Sequence, residues 1–572
     1  MRRRDGEVEF DARQFRLRAR LLTGLLGLFA LLLLVRSLQL QVLDQQFLAE
    51  QGDMRSVRVE KMFAHRGAEY DRFGEPLAMS TPVDTVWVDP PQIAQSSEGI
   101  EKLARALKRN RQWLEQRVTS NLDREFLYVA RHVDPDRAQE ILALGIPGVH
   151  LVREYRRYYP TSEVTGHLLG FTNLDDVGQE GLELAFNQSL AGQHGLKTVI
   201  KDGQGRIIKN VEIARQPRPG EDLHTSIDLR IQYLAYRELK TAVRAHRARA
   251  GSVTVIDVTT GEVLAMVNQP AFNPNDRAQY EVARYKNRVA TDIFEPGSSI
   301  KPFVVAAALS SNRYRPDSLI DTTPYRVGPL MIRDKHDLGT ISLGEVLARS
   351  SNVGMSKVAL SLDAEHLHET LRALGFGEVS ASGFPGESAG RLPPVATWRP
   401  INIATMSYGY GLSVTPLQLA QAYATIGAEG IRRPITFRHV LQPVPGERVM
   451  SEKVSRELIG LLEQAVMPAG TGLKAAVPGY RVAGKTGTAW KAVEGGYSKD
   501  RYLAVFAGVV PASQPRLAIV VMIDEPSGSL YYGGDVSAPV FSAVASGALR
   551  LMAVAPDDLA HLRQVAHAEY EP

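Results

Sequence analysis

The chain contains no cysteine. That absence excludes a disulfide framework, a thiolate nucleophile and a cysteine zinc site, and it suits an oxidising compartment without requiring one. Excess charge is also scarce. The formal net charge is +4 over 572 residues, and much of it falls in the first twenty positions, not along a stripe fit for nucleic acid. No nucleic-acid partner is therefore expected. Prolines and glycines follow no period and no internal repeat stands out, while 44% hydrophobic and 23% charged residues fit neither a disordered nor a polytopic membrane protein. A length beyond the roughly 250 to 300 residues of a single core calls for two or more domains.

One uncharged apolar run stands out, Leu21 to Val35, behind an arginine-rich start (Arg2, Arg3, Arg4, Arg13, Arg16, Arg18, Arg20). It is shorter than the roughly 17 to 25 residues of a usual span. Arg20 and Arg36 can snorkel, however, and Leu38, Leu40 and Val42 extend its apolar character. A cleaved signal peptide would need small residues after the core, and Arg36-Ser37-Leu38-Gln39-Leu40-Gln41-Val42 offers no A-x-A pattern. We expect an uncleaved anchor over residues 21–41. The positive-inside bias places residues 1–20 in the cytoplasm and the rest outside.

Between Val42 and about Pro219, strand-like text such as Thr85-Val86-Trp87-Val88 mixes with two amphipathic helices. One carries Ile100, Leu103 and Leu107; the other runs from Pro135 to Leu144 and is stopped by Gly145-Ile146-Pro147-Gly148. Gln216-Pro217-Arg218-Pro219-Gly220 breaks either regular element, so a boundary is expected near residue 222. Beyond it, Ser252 to Asp257 and Glu262 to Val267 read as a hairpin turned at Val258-Thr259-Thr260-Gly261. Helical text (Phe303 to Leu309, Leu343 to Leu360) and a late strand pair (Leu503 to Val510, Leu517 to Ile523) make this part mixed α and β.

Three motifs carry chemistry. In Glu295-Pro296-Gly297-Ser298-Ser299-Ile300-Lys301-Pro302-Phe303 a helix is expected to begin at Ser298, which puts Lys301 one turn away on the same face. A serine hydroxyl needs something to take its proton, and lysine serves only where burial or nearby positive charge keeps it neutral. Backbone N–H groups at the helix start would face developing negative charge. Ser350-Ser351-Asn352 can aim a hydroxyl and an amide at one cleft, or can simply cap the following helix. Ala483-Gly484-Lys485-Thr486-Gly487-Thr488-Ala489 offers small residues against which a substrate could lie as an added strand, with Lys485 lending positive charge. Each motif alone is common.

The ordered set Ser298-x-x-Lys301, Ser350-x-Asn352 and Lys485-Thr486-Gly487 is the signature of the penicillin-recognising serine acyltransferases. Along nearly its full length the chain resembles a class B penicillin-binding protein of the division-specific, penicillin-binding protein 3 type. The supporting text comprises Arg66-Gly67, Asp71-Arg72-Phe73-Gly74, Pro76-Leu77-Ala78, Gly170-Phe171-Thr172-Asn173 and Gly181-Leu182-Glu183, all of which look structural. It continues through Asp202-Gly203-Gln204-Gly205-Arg206, Gly261 to Met266, Tyr531-Tyr532-Gly533-Gly534 and Ala538-Pro539-Val540-Phe541.

The resemblance implies an α+β fold: a single transmembrane helix, an elongated mixed α/β pedestal of the dimerisation type (42–222), a transpeptidase domain with an antiparallel sheet flanked by helices (223–555), and a tail (556–572). It implies Ser298 as the acylated nucleophile, Lys301 as general base, and Ser350 and Asn352 in proton transfer and amide binding. Lys485, Thr486 and Thr488 would hold a carboxylate, Gly487 and Ser351 would complete the substrate site, and the N–H groups of Ser298 and Thr488 would form the oxyanion hole. Peptidoglycan stem peptides and β-lactams are the implied ligands. A lipid-II-polymerising glycosyltransferase and other divisome proteins are the implied partners, with no metal or cofactor, in the bacterial inner membrane.

Ser299 stands where threonine is usual, and Trp490 where a basic or polar residue is expected. Trp490 either reshapes the cleft or packs beside the edge strand. A β-lactamase would need a base for its deacylating water, and no E-x-x-L-N-type text is present. A bifunctional synthase would need acidic glycosyltransferase text before residue 222. A non-catalytic scaffold or β-lactam sensor is opposed by the intact motifs. An elongation enzyme and a conditionally used second copy of the division enzyme stay open beside the division reading.

Overall fold

The structure is a computed structural model, and it describes residues 12–47, 57–201, 207–276, 278, 281–493 and 496–558. The expectations on Arg2, Arg3 and Arg4, on the text at 202–206 and on the tail from 559 lie outside the described residues.

An α-helix spans Ala12–Leu38 and runs on as a wider helical turn over Gln39–Leu43. It is the one helix among the described residues that is long and apolar enough to cross a membrane. It begins well before the apolar run because arginine is a good helix former, so Arg13 to Arg20 extend it. Its polar groups are satisfied locally: Thr23 Oγ1 donates to Ala19 O at 2.8 Å and Arg36 to Gln39 Oε1 at 2.9 Å.

The chain divides into two compact units interleaved in sequence, one of residues 1–64, 83–154 and 193–218, the other of 65–82, 155–192 and 219–572. In the first, Val57–Met62, Gly195–Lys201 and Ile207–Arg215 form a three-stranded antiparallel sheet. The helices Ser97–Ala106 and Pro135–Ala143 bury Ile100, Leu103 and Ile141 in a core with Val86, Val88 and Leu114. Leu107 falls at the C-cap of its helix, and Gly145 (φ 61°) and Gly148 (φ 78°) stop the second one by adopting the left-handed conformation.

In the second unit Glu183 accepts from both Arg66, at 2.7 Å, and Arg157, while Arg157 also reaches Glu69 Oε1 at 3.2 Å. All four side chains are buried. Burial and the neighbouring Glu183 push the Glu69 carboxyl up to about 8, whereas the two guanidiniums hold Glu183 below its usual range against the effect of burial.

The centre of this unit is a five-stranded antiparallel sheet. Its spatial order is Val263–Gln269, Ala250–Asp257, Leu517–Asp524, Gly496–Val510, Ala483–Val493. Leu517–Asp524 is buried throughout, and its residues divide by parity. Leu517, Ile519, Val521 and Ile523 join a core with the helices Leu229–Ala245 and Ala538–Leu551. Ala518, Val520 and Met522 join a second core with the helices Lys301–Ser310 and Pro416–Gly427. The strand reads as one continuous apolar run because side chains alternate between faces and helices cover both. At roughly 1.5 to 3 kcal/mol per fully buried aliphatic side chain, these layers fix the sheet firmly. The expected hairpin and late strand pair are both present, and the Lys-Thr-Gly strand lies at the edge.

Candidate active site

Ser298 lies in a 3-10 turn, Gly297–Ile300, and the α-helix begins only at Lys301. The helix expected to begin at Ser298 thus opens with a 3-10 turn, and Pro302 supplies the reason. An α-helix would need the N–H of residue 302 to donate to Ser298 O, and proline has none. Lys301 N–H donates to Ser298 O instead, closing a three-residue turn in which positions i and i+3 eclipse. Ser298 and Lys301 thereby lie on the same side of the turn, one above the other.

Two glycines let this turn reach its neighbours. A Cβ on Gly487 would lie 2.8 Å from Pro296 O, and one on Gly409 (φ 92°) would lie 2.1 Å from Gly297 O. A side chain on Gly487 would push the Ser298 turn away from the edge strand, and one on Gly409 would displace Gly297.

Lys301 is wholly buried. Its Nζ contacts Ser350 O at 2.6 Å, Asn352 Oδ1 at 2.7 Å and Ser350 Oγ at 3.2 Å. Burial pulls its pKa well below the usual lysine range, the charge of Lys485 adds to this, and Asp334 opposes it. Its Nζ can donate to all three oxygens, the two carbonyl-type ones and the Ser350 hydroxyl. Ser350 has φ 63°, a conformation disfavoured for serine, and it turns both its carbonyl and its hydroxyl toward the lysine.

Lys485 is equally buried, and burial alone brings it down to about 7. Its Nζ donates to Thr486 O at 3.1 Å, Thr486 Oγ1 at 3.2 Å and Thr471 Oγ1 at 3.3 Å. Thr488 Oγ1 accepts the N–H of Gly533 at 2.9 Å. Trp490 N–H donates to Tyr410 Oη at 3.3 Å, which sets the facing of the edge. Peptide groups two apart on a strand point the same way, so the N–H of Thr488 faces the same free side.

Ser351 is used differently from the expected substrate contact. It is 1% exposed, its Oγ accepts the N–H of Gly354 at 2.8 Å, and its hydroxyl donates to Asp334, so it caps the helix Asn352–Ser361. The Trp490 ring is half exposed and lies 6.5 Å from the ring of Tyr410, beside the edge strand.

Several contributors escaped the sequence reading. Asp334 Oδ1 accepts the N–H groups of Asn352 at 2.6 Å and Val353 at 3.2 Å, which fixes the helix start that presents Asn352. Glu295 accepts from Gly411 N–H at 2.7 Å and Tyr497 Oη at 2.9 Å, tying the Ser298 loop to its neighbours. No spacing rule links these residues to the motifs. Among the described residues, no group of three or more His, Asp or Glu side chains could hold a metal ion.

Comparison with known proteins agrees along most of the chain. The family model for the penicillin binding protein transpeptidase domain matches residues 251–546, and that for the penicillin-binding protein dimerisation domain matches residues 61–225. The peptidoglycan D,D-transpeptidase FtsI of Escherichia coli K12 is 45% identical over 545 residues, covering 94% of this chain and 92% of the relative. The probable peptidoglycan D,D-transpeptidase PbpC of Pseudomonas aeruginosa is 40% identical over 537 residues, covering 94% and 95%. Among solved structures, the apo transpeptidase domain of Burkholderia pseudomallei penicillin-binding protein 3 is 44% identical with a TM-score of 0.54, covering 58% of this chain and 97% of that one.

Proposed function

Because this chain belongs to the division-type class B penicillin-binding proteins, we propose that it cross-links peptidoglycan stem peptides through an acyl-enzyme on Ser298 and that β-lactams acylate the same hydroxyl. The observation that carries this reading is the convergence on one buried amine: Lys301 stands one 3-10 turn from Ser298, holds Ser350 and Asn352, and feels the charge of Lys485.

Neutral Lys301 takes the proton of Ser298 Oγ as the oxygen attacks the penultimate D-alanine carbonyl. The N–H groups of Ser298 and Thr488 receive the oxyanion, and Lys485 with Thr486 holds the terminal carboxylate. The carbonyl re-forms, the C–N bond breaks, and the proton returns through the Lys301–Ser350 pair to the departing D-alanine amine. An amine of a neighbouring stem then attacks the ester, gives up its proton by the same route and releases Ser298. Water in place of that amine gives carboxypeptidase hydrolysis.

We place the residues after the N-terminal helix in the periplasm, from the arginines that precede the apolar run. A lipid-II-polymerising glycosyltransferase would supply the strand to be cross-linked, and the helix and the dimerisation domain are the parts expected to meet it and other divisome proteins. The domain limits given above, 21–41, 42–222 and 223–555, belong to the same proposal. The test is product analysis with the full chain in detergent, a donor peptide ending in D-Ala-D-Ala and an acceptor amine. One free D-alanine per new amide bond to the acceptor is expected. Release of D-alanine with only the shortened acid as product would overturn transfer.

A further inference from the structure

We infer that Thr471, which lies outside all three motifs, is a positioning residue for carboxylate recognition, holding the ammonium of Lys485 and the hydroxyl of Thr486 in the arrangement that receives the anion. The inference rests on the reading of Ser298 and Lys485 given above and deepens it. Lys485 Nζ has three N–H groups and three acceptors: Thr486 O at 3.1 Å, Thr486 Oγ1 at 3.2 Å and Thr471 Oγ1 at 3.3 Å. The two hydroxyls also meet each other at 2.7 Å. Between them they carry two protons, and one is used in their mutual bond, which leaves one hydroxyl proton free beside a buried positive charge. That is the donor set an incoming carboxylate needs. Where Thr471 donates to Thr486, the free proton is on Thr486, a residue of the substrate-facing edge strand.

The loop bearing Thr471 is held by its backbone. Gly470 N–H donates to Met467 O and Gly472 N–H to Ala465 O, each at 2.8 Å, and a Cβ on Gly534 would stand 2.4 Å from Thr471 O. Thr471 itself is exposed while Lys485 is buried. Its hydroxyl can therefore be removed without a cavity and without releasing the loop. Without it, one N–H of Lys485 loses its acceptor, and Thr486 loses the partner that fixes its hydroxyl rotation.

The test compares acylation of the full chain by a penicillin free acid and by its methyl ester, in wild type, Thr471→Val, Thr471→Ala and Thr471→Ser. With the free acid, the second-order rate constant falls about 10-fold or more in the valine and alanine variants, the scale of a lost hydrogen bond to a charged group. Reactivity toward the ester, which offers no anion, stays within about 2-fold, and serine restores the acid reaction. Equal losses toward acid and ester, or unchanged reactivity toward the acid in both hydroxyl-free variants, would overturn the role of Thr471. A wild-type chain that takes up penicillin at a residue other than Ser298 would instead overturn the reading on which it rests.

Discussion

Lys301→Met lowers the rate of acylation by a β-lactam by about 10³-fold, within the range expected for loss of a positioned general base. Methionine keeps much of the length and the apolar stem of lysine, so the cavity stays filled, but the amine that relates Ser298 to Ser350 and Asn352 is gone. Ser350 O and Asn352 Oδ1 then lose their donor, and the melting midpoint falls with a cost of about 1 to 3 kcal/mol. Lys301→Arg separates basicity from charge. A guanidinium cannot be deprotonated in a protein, so it stays inactive while retaining the positive charge. A measured rate within tenfold of wild type for either variant would exclude Lys301 as the base. The pH dependence has a definite sign. The neutral amine is the active form and its pKa is depressed, so acylation rises with pH well below the usual lysine range. The cation of Lys485 fades as pH passes about 7, and a bound carboxylate opposes that loss.

Glu183→Gln is expected to be the most destabilising single change outside the cleft. Glu183 is the shared acceptor of two buried guanidiniums, and Tyr159 Oη also donates to it at 3.2 Å. The amide is nearly isosteric, so the effect is electrostatic: Arg66 and Arg157 remain buried, and Arg157 keeps Glu69 Oε1 at 3.2 Å. Breaking such a network by removing one partner costs about 3 to 5 kcal/mol. A melting midpoint lower by about 5 °C follows for the large unit that contains it. Differential scanning calorimetry of the full chain checks this, and a shift under about 2 °C would mean that the network adds little.

The contrast between these residues shows what the sequence could disclose. Ser298 and Lys301 were legible because their relation is local: three positions on a helical turn lie on one face in either helix type. That the turn is 3-10 follows from Pro302, whose missing N–H cannot complete an α-helical bond to Ser298 O. The Leu517–Asp524 strand was legible because a continuous apolar run of that length suits a strand covered on both faces. The pair Arg66 and Glu183 appeared only as separate pieces of family-like text, since 117 positions separate them and no periodicity spans that distance. Asp334 and Thr471 lie 18 and 14 positions from the motif residues Asn352 and Lys485 that they hold, across loops whose path depends on the finished fold. Ser351 showed the opposite problem. Its motif fits both a cleft residue and a helix cap, and only the contact with Asp334 decides between them.

The central claim is that Ser298 becomes acylated. Intact mass and peptide mapping of the full chain after exposure to penicillin test it most directly, with Ser298→Ala treated in parallel. One adduct is predicted, on the peptide that contains Ser298 and absent from the alanine variant. An adduct that persists in Ser298→Ala, or that maps to any other residue in the wild-type chain, would contradict the account.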